Sequence, residues 1–403
     1  MEILTDHSLI ASKIEKNIKL YNFNCILSEL PKGSILVGGF IRDLILDKEI
    51  DNPDLDIIVN KNSFEVGKKI SKKFNGKLIF LDKERNIFRV IFREFRLDIA
   101  CKLNNNLNQD LLRRDLTINS IGYCLESKII IDPCNGIEDI KKSILRTYKN
   151  QNIIDDPLRI LRCFRFLSEL NFQIEQKLVD LIYVNKNLLC KVAAERIQYE
   201  LKKIVRGKNA PEAISFINKM QIFNWLQSYE GFSYFNLNSF NTNYLLNKEI
   251  SAYLPIVYLI EMLDDLSIKK LKFSKIETLN AKLLRKWQRS LRETKIEEFN
   301  EIDRFCLHRD LENILPAFIL YLPENYQIDW LERWRDKTDR LFHPSNFLNG
   351  KILKKYICID DGPLLGKLLE YLSIELAYER INDFDDAIYK ANQWFKQNAP
   401  KCD

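Results

Sequence analysis

The distribution of apolar residues along the chain separates a mixed first part from a helical remainder. Within residues 33–59, GSILVGGFIRDLILDKEIDNPDLDIIV, two short apolar runs have the length and β-branched composition of buried strands. An amphipathic helix is predicted over residues 64–74, and further strands are predicted over 77–81, 86–92 and 94–100. From residue 156 onward helical periodicity dominates. The pattern predicts an α+β fold, in which a small mixed sheet of about five strands with helices on one side is followed by helices.

A pair of glycines lies between the first predicted strand and the helix that follows it. Gly38 and Gly39 come after the apolar run Ile35–Val37, and residues 40–46 have helical spacing. The first N–H groups of a helix have no partner within the helix, and glycine lets a phosphate approach them closely. The turn is therefore a candidate phosphate-binding site, although a glycine pair alone is more often an ordinary turn.

Two carboxylates begin the second apolar run. Asp54 and Asp56 precede residues 57–59, and the period of a strand directs both side chains to one face, about 7 Å apart along the chain. Such carboxylates repel one another unless a cation lies between them, and oxygen ligands suit Mg²⁺. A divalent metal beside a phosphate-binding turn indicates phosphoryl or nucleotidyl transfer. Asp98, in the strand RLDIA, is either a third ligand or a strand carboxylate paired with an arginine.

Composition narrows the class of protein. A chain of 403 residues with 46% hydrophobic content is long enough for two to four domains. The net charge of +6 permits a polyanionic partner without requiring one. Nine cysteines without a CxxC pair, and three dispersed histidines, favour a reducing compartment and argue against a zinc site. Because no apolar run approaches ~20 residues and the first residues resemble no targeting signal, we expect a cytoplasmic protein without a membrane partner.

Two groups of residues resemble a known family. The series GG, RD and DxD, from Gly38 to Asp56, resembles the GGxVRD and DxD motifs of the class II tRNA CCA-adding enzymes and bacterial poly(A) polymerases, with Ile41 in place of valine. The segment LLRRDLTINSIGY resembles the second motif of that family, RRDxTINxxxY. The resemblance implies that the triphosphate is bound by Gly38, Gly39, Arg42, Arg113 and Arg114, and the ribose by Asp115 and Asn119. A guanidinium suits phosphate, and a carboxylate that accepts a hydrogen bond from a 2′-OH favours ribonucleotides.

The segment DDPLR resembles the base-reading motif EDxxR of the same family. It aligns with Asp155, Asp156 and Arg159, and Asp155 stands where glutamate is usual. Cytosine and adenine both present an amine donor beside a ring-nitrogen acceptor. A carboxylate near an arginine complements that pattern and rejects uracil and guanine, which would leave polar groups unpaired. The alternative is an ordinary ion pair within one helical turn, worth ~0.2–0.5 kcal/mol. We expect Asp156 to cap the helix that begins at Pro157, and Arg162 of the same arginine stripe to join in nucleotide binding.

The resemblance implies an organisation and a function for the whole chain. It implies a nucleotidyltransferase head over residues 1–140, a neck over 141–207 and a helical body and tail over 208–403 that bind tRNA. The expected activity is addition of C, A or both from CTP and ATP to the 3′ end of tRNA, with two Mg²⁺ ions held by Asp54 and Asp56. The neck segment ERIxxEL, with Arg196 and Glu200, is expected only to pack.

The sequence leaves the exact activity open. The connection over residues 101–112 is short, whereas family members that add the terminal A carry a long flexible segment there. The short connection marks either an enzyme that adds only two C residues or a subgroup that adds A with a different loop. The sequence also fits a poly(A) polymerase or a non-catalytic RNA-binding relative, and it leaves the oligomeric state open.

Overall fold

The computed structural model describes residues 6–82, 86–102, 106–226, 237, 240–344, 349–357, 359–360 and 362–398. The chain forms two compact units, Met1–Leu226 and Gln227–Asp403. Within the described ranges, no helix is both long and apolar enough to cross a membrane.

The first unit is built on one mixed sheet. Its strands are β1 (Ile35–Val37), β2 (Asp54–Val59), β3 (Lys77–Asp82), β4 (Ile87–Ile91), β5 (Arg96–Cys101), β6 (Gly122–Cys124) and β7 (Ile130–Ile131). Over the described residues they are ordered β3-β4-β5-β2-β1-β6-β7, and β2 and β5 are parallel while the other neighbours are antiparallel. The α+β class with a mixed sheet is confirmed. β1 and β3 to β5 lie within two residues of their predicted bounds, and β2 begins three residues before the apolar run 57–59 because its pairing with β5 starts at Asp54. The sheet has seven strands instead of about five because β6 and β7 extend it beyond β1.

The helices of the first unit cover both faces of this sheet. They are α1 (His7–Leu20), α2 (Asn24–Leu27), α3 (Gly39–Ile45), α4 (Ser63–Lys73), α5 (Leu107–Leu112), α6 (Gly136–Lys141), α7 (Asn150–Asp155), α8 (Leu158–Leu170), α9 (Gln176–Asn185), α10 (Ala194–Ile204) and α11 (Ala210–Lys219). Gly67 of α4 packs against Ile99 on one face. Leu111 of α5 packs with Val37 and Ile58 on the other face. The expectation of helices on one side was therefore wrong, because the apolar side chains of β1 alternate and both faces need cover.

A short two-stranded ladder ties the arginine-bearing helix α8 to the segment before it. Strands β8 (Ile144–Leu145) and β9 (Gln173–Ile174) are parallel and flank α7 and α8 in the chain. Gln173 donates its backbone N–H to Ser143 at 2.9 Å, and Glu175 donates to Leu145 at 3.0 Å. Helices α10 and α11 pack on α8. Both ends of α8 are thus fixed within the first unit.

The second unit is helical throughout its described residues. Its helices are α12 (Asn247–Met262), α13 (Asp265–Lys270), α14 (Lys275–Glu293), α15 (Glu301–Leu311), α16 (Leu315–Ile319), α17 (Glu324–Arg335), α18 (Gly350–Ile357), α19 (Pro363–Ala377) and α20 (Phe384–Asn398). Arg285 is buried and donates to the carbonyls of Ile260 and Leu263 at 2.8 and 2.6 Å, which satisfies the end of α12. Buried His308 lies between the rings of Trp330 and Phe342.

Candidate active site

Two aspartates of β2 point to the same face of the sheet. Asp54 and Asp56 alternate with buried Leu55, and Asp56 lies opposite Asp98 of the parallel strand β5. Burial raises the pKa of Asp56 from 3.8 to about 6; Asp98 and Asp54 act in the same direction, and Arg114 opposes them. Ionising Asp56 is therefore costly unless a nearby cation compensates its charge.

The other carboxylates on this face each have an arginine partner. Arg96 Nη1 lies 3.3 Å from Asp54 Oδ1 in an exposed pair. Arg89 donates two hydrogen bonds to Asp98, at 2.7 and 2.8 Å. The arginine partner that we considered for Asp98 is therefore present. Asp98 accepts two short hydrogen bonds, whereas Asp54 has one longer contact with an exposed arginine, so Asp54 and Asp56 are the better candidate metal ligands.

The glycine turn lies directly beside Asp56. Gly38 has φ +85°, a backbone conformation that residues with a side chain rarely adopt, and α3 begins at the next residue. A Cβ atom on Gly38 would lie 2.8 Å from Asp56 Oδ2 and 2.9 Å from Arg114 Nη1. Glycine at this position therefore permits the backbone, the carboxylate and the guanidinium to meet in one place.

A chain of hydrogen bonds joins four of the predicted nucleotide-binding residues. Arg42 Nη1 donates to Asn119 Oδ1 at 2.7 Å, and Asn119 Nδ2 donates to Asp115 Oδ1 at 3.0 Å. Arg162 Nε donates to Asp115 Oδ2 at 2.6 Å. Burial alone would raise the pKa of Asp115, but Arg162 and Asn119 outweigh it and hold that pKa well below its usual value. Asp115 is therefore ionised and fixed in position, as an acceptor for a sugar hydroxyl must be.

The two arginines of the RRD segment have different surroundings. Arg113 and Arg114 follow the end of α5 and precede a short 3₁₀ turn, Thr117–Asn119. Arg113 is exposed, whereas Arg114 is half-buried and its Nη1 lies 3.5 Å from the carbonyl oxygen of Asn119. Only Arg114 of the two lies beside Asp56 and the glycine turn in this structure.

The predicted base-reading residues contact groups outside the DDPLR segment. Asp156 is the single extended residue between α7 and α8, and its carboxylate accepts from Arg196 Nη2 at 3.1 and 3.3 Å. Arg159 Nη1 donates to the carbonyls of Arg113 and Asn152, at 2.8 and 3.0 Å. The prediction that Asp156 caps the helix was wrong: Pro157 occupies the cap position and no side chain caps it, because α7 ends immediately before and the carboxylate of Asp156 turns to Arg196.

One cavity of about 380 Å³ brings most of the predicted residues together. It is lined by Gly38, Gly39, Arg42, Asp54, Asp56, Arg114, Asp115, Asn119 and Arg162. Arg113, Asp156 and Arg159 are not part of its lining, although Arg113 is the chain neighbour of Arg114 and accepts a hydrogen bond from Arg159. The volume is in the range of small-ligand pockets. The lining combines an acidic edge, formed by Asp54 and Asp56, with a basic wall, formed by Arg42, Arg114, Arg162 and Arg165, and this combination suits a metal-bound polyphosphate.

The acidic edge suits a metal that shares its ligands with a substrate. Among the described residues, no group of three or more His, Cys, Asp or Glu side chains is placed to hold an ion. Mg²⁺ typically takes one or two carboxylates and completes its coordination with substrate phosphates and water. Asp54 and Asp56, beside a glycine turn and Arg114, fit that arrangement.

Sequence reasoning assigned no role to three residues that the structure places at or beside the site. Arg165 and Phe166 of α8 line the cavity. Arg196 of α10 holds Asp156. The ERIxxEL segment, which we interpreted as packing alone, contains both Arg196 and Glu200, the partner of Arg165 at 3.2 Å. The resemblance of this segment to the family was the signal that could have identified Arg196 and the partner of Arg165.

Comparisons with known proteins agree with this geometry. Residues 34–146 match the family described as "Poly A polymerase head domain", and residues 171–228 match "Probable RNA and SrmB- binding site of polymerase A". The CC-adding tRNA nucleotidyltransferase of a Synechocystis species is 27% identical over 91% of this chain and 95% of its own length.

Solved structures share the fold over almost the whole chain. The Thermotoga maritima CCA-adding enzyme complexed with tRNA is 24% identical and superposes with a TM-score of 0.70, covering 98% of this chain and 100% of that chain. A CCA-adding enzyme in complex with CTP is 22% identical, with a TM-score of 0.74 and the same coverage. The head motifs, the cavity they form and these matches show that residues 34–146 are a head domain of the poly(A) polymerase family, in a chain whose fold is that of the CCA-adding enzymes.

Proposed function

We propose that this protein transfers nucleotide monophosphates from CTP, ATP or both to the 3′ hydroxyl of tRNA. The observation that carries the proposal is the cavity in which the Asp54 and Asp56 carboxylates, the glycine turn and the chain from Arg42 to Arg162 meet. A non-catalytic RNA-binding protein would have no use for the half-buried Asp56, whose ionisation burial makes costly.

The residues of the cavity divide into three tasks in the proposed reaction. Gly38, Gly39 and Arg114 receive the triphosphate beside the acidic edge. Asp115, held ionised by Arg162, accepts from a ribose hydroxyl. The 3′ oxygen of the RNA attacks the α-phosphorus, the bond between the α- and β-phosphates breaks, and pyrophosphate leaves. Two Mg²⁺ ions, held by Asp54 and Asp56, would supply charge stabilisation at the attacking and leaving oxygens.

In the proposed reaction the guanidinium of Arg42 mainly orients the side chain of Asn119. Its Nε and Nη2 atoms donate to Asp43, at 2.8 to 2.9 Å, and its Nη1 donates to Asn119. Because most of its donors are occupied, Arg42 is proposed to fix Asn119 below the ribose and to present only its remaining N–H to phosphate.

Asp156 and Arg159 are proposed to read the base. The guanidinium of Arg159 is anchored on two backbone carbonyls, and the carboxylate of Asp156 is anchored by Arg196. Both groups are thus oriented before a nucleotide binds, which lowers the entropy lost on binding and sharpens discrimination between bases.

The helical remainder is proposed to hold the tRNA. We assign a head to residues 1–140, a neck to 141–207 and a body and tail to 208–403. The match of residues 171–228 to an RNA-binding family supports an RNA contact that begins in the neck. The net charge of +6 suits a polyanionic partner, and a cytoplasmic location follows from tRNA as the substrate.

Addition of C alone is the form of the activity that we favour. The connection between β5 and the RRD segment is short, and most of its described part is the helix α5; residues 103–105 lie outside the described residues. The Synechocystis relative, which aligns with 91% of this chain, is named a CC-adding enzyme. A poly(A) polymerase is the second candidate, favoured by the description of the family that matches the head.

Primer extension separates these activities. Purified protein is incubated with Mg²⁺, labelled NTPs singly and together, and three tRNAs that lack CCA, lack CA or lack only the terminal A. Two C residues and no A support CC addition, C followed by A on the same tRNA supports CCA addition, and long A tails support the polymerase. Asp54→Asn should abolish extension, while the matched surface control Asp47→Asn should not. Absence of extension by the parent protein, with tRNA binding retained, would refute the proposal.

A further inference from the structure

Phe166 lies beside three arginines of the basic wall of the cavity. Its side chain is 2% exposed, and it lines the cavity from α8. Within the described residues, the guanidinium carbons of Arg165, Arg42 and Arg162 lie 4.4, 4.9 and 5.8 Å from the centre of its ring. These distances are in the range of cation–π contacts. Three cations from two helices therefore share one aromatic ring.

Each of these guanidinium groups also has a carboxylate partner. Arg42 pairs with Asp43 at 2.8 Å, Arg162 with Asp115 at 2.6 Å, and Arg165 with Glu200 at 3.2 Å. The carboxylates lie on three different segments of the chain, and Glu200 also lies 4.0 Å from Nη1 of Arg162. The ring is the common element that all three guanidinium groups contact.

The ring attracts all three guanidinium groups at once, which none of these carboxylates does. Arg42 and Arg165 are buried and Arg162 is half-buried, so water screens the repulsion among the three guanidinium groups only in part. The face of an aromatic ring carries partial negative charge and attracts cations without a hydrogen bond. An aliphatic side chain of similar volume would fill the same space but would not offset the repulsion.

We infer that Phe166 is a positioning residue for nucleotide binding, which acts by holding Arg42 and Arg162 in the place where they order Asn119 and Asp115. The inference rests on the proposed function, because it concerns the same nucleotide site. Arg42 bonds Asn119 and Arg162 bonds Asp115, so movement of either guanidinium would displace the groups that receive the ribose. Loss of the ring should therefore weaken binding of the nucleotide more than it slows the chemical step.

Fluorinated phenylalanines test this role with little change of volume. Incorporation of 4-fluoro-, 3,5-difluoro- and 3,4,5-trifluorophenylalanine at Phe166 withdraws electron density from the ring stepwise and weakens cation–π attraction. Phe164 is the matched control, because it lies on the same helix, is fully buried and packs edge-to-face on Phe216 away from the cavity lining. The full chain is used, with thermal denaturation as the check on folding.

The readouts are KM and kcat for CTP in primer extension, and the affinity for CTP with Mg²⁺ measured by calorimetry without tRNA. The inference predicts a stepwise rise of KM and Kd at Phe166, reaching about 10-fold for the trifluoro variant, with kcat changed less than about threefold. Phe166→Leu should shift KM in the same direction, and the Phe164 series should be flat. A flat Phe166 series, or equal effects at both positions, would overturn the inference.

Failure of the proposed function can be distinguished from failure of the positioning role of Phe166. If the parent protein does not extend tRNA, the proposed activity fails, and the calorimetric series alone then decides the role of Phe166. A normal parent with a flat series refutes the positioning role and leaves the transferase intact.

Discussion

Because the half-buried carboxylate of Asp56 is costly to ionise, we expect a variant that lacks this carboxylate to be inactive and more stable than the parent. Asp56→Asn keeps the shape of the side chain but cannot ionise. In the metal-free protein the ionised Asp56 is opposed by burial and by Asp98 and Asp54, so the substitution should relieve a cost that the parent accepts for function.

The magnitude and the sign follow from the pKa of Asp56. A rise from 3.8 to about 6 corresponds to at most about 3 kcal/mol, and about 1–3 kcal/mol after allowance for partial solvent access. Between these pH values the folded protein binds more protons than the unfolded chain, so the free energy of unfolding falls as pH rises from about 4 through about 6. Asp56→Asn should gain the full amount near pH 8 and almost nothing near pH 4.

Hydrogen exchange of the full-length chain measures this gain locally. Peptides that span β2 and β5 are compared between parent and variant at matched pH in the presence of a chelator, because two compact units need not unfold together. Asp54→Asn is the control on the same strand; its carboxylate is exposed and paired with Arg96, so its loss should change the opening free energy by less than about 0.5 kcal/mol. Addition of Mg²⁺ should stabilise the parent and leave Asp56→Asn unchanged.

Two results would contradict this reasoning. The first is an Asp56→Asn variant that is no more stable than the parent near pH 8. The second is a gain that stays constant as pH falls, because a constant gain would arise from packing and not from ionisation.

Three further predictions concern other parts of the chain. Gly136→Ala should lower the stability of the first unit by about 1–3 kcal/mol in thermal denaturation, because its Cβ would lie 2.2 Å from the carbonyl oxygen of Thr117. The control Gly366→Ala, where the added Cβ meets open space, should not lower the stability. Arg159→Ala should reduce kcat/KM for CTP by about 10-fold or more, because the hydrogen-bond donor to the base would be lost. The preference for CTP over UTP, measured by competitive incorporation, should also become smaller. An unchanged preference would exclude Arg159 as a base reader. Burial lowers the pKa of His308 to about 3, so the second unit should lose about 2 kcal/mol between pH 7 and pH 5 as the unfolded chain takes up a proton; His308→Phe should remove that pH dependence in denaturant titrations.

The elements that could be predicted from the sequence are those with a local pattern. β1 to β5 were predictable because short β-branched runs alternate with turns, and Asp54 and Asp56 because a strand has a period of two. The strands β6 and β7 have only three and two residues, and their place depends on the pairing of β6 with β1 and of β7 with β6. No window of sequence contains that information.

The same distinction applies to the site. The motifs identified most of the residues that line the cavity, since each motif is local, but they also included Arg113, Asp156 and Arg159, which do not line it. The partners of those residues are remote: Arg196 is 40 residues from Asp156, and Arg162 is 47 residues from Asp115. For this reason the helix cap at Asp156 was predicted wrongly, and the contacts of Phe166 with its three arginines were not anticipated.

The ladder of β8 and β9 constrains how selection of the base can change during the reaction. Because the strands flank α7 and α8 and are joined by backbone hydrogen bonds, a movement of α8 relative to β8 would break those bonds. Because β8 and β9 hold the chain before α7 and after α8, we expect every incoming nucleotide to meet the same backbone geometry. We therefore expect any change of preference between successive additions to come from rotation of the Asp156 and Arg159 side chains and from the lengthening 3′ end of the RNA, while the path of α8 stays constant.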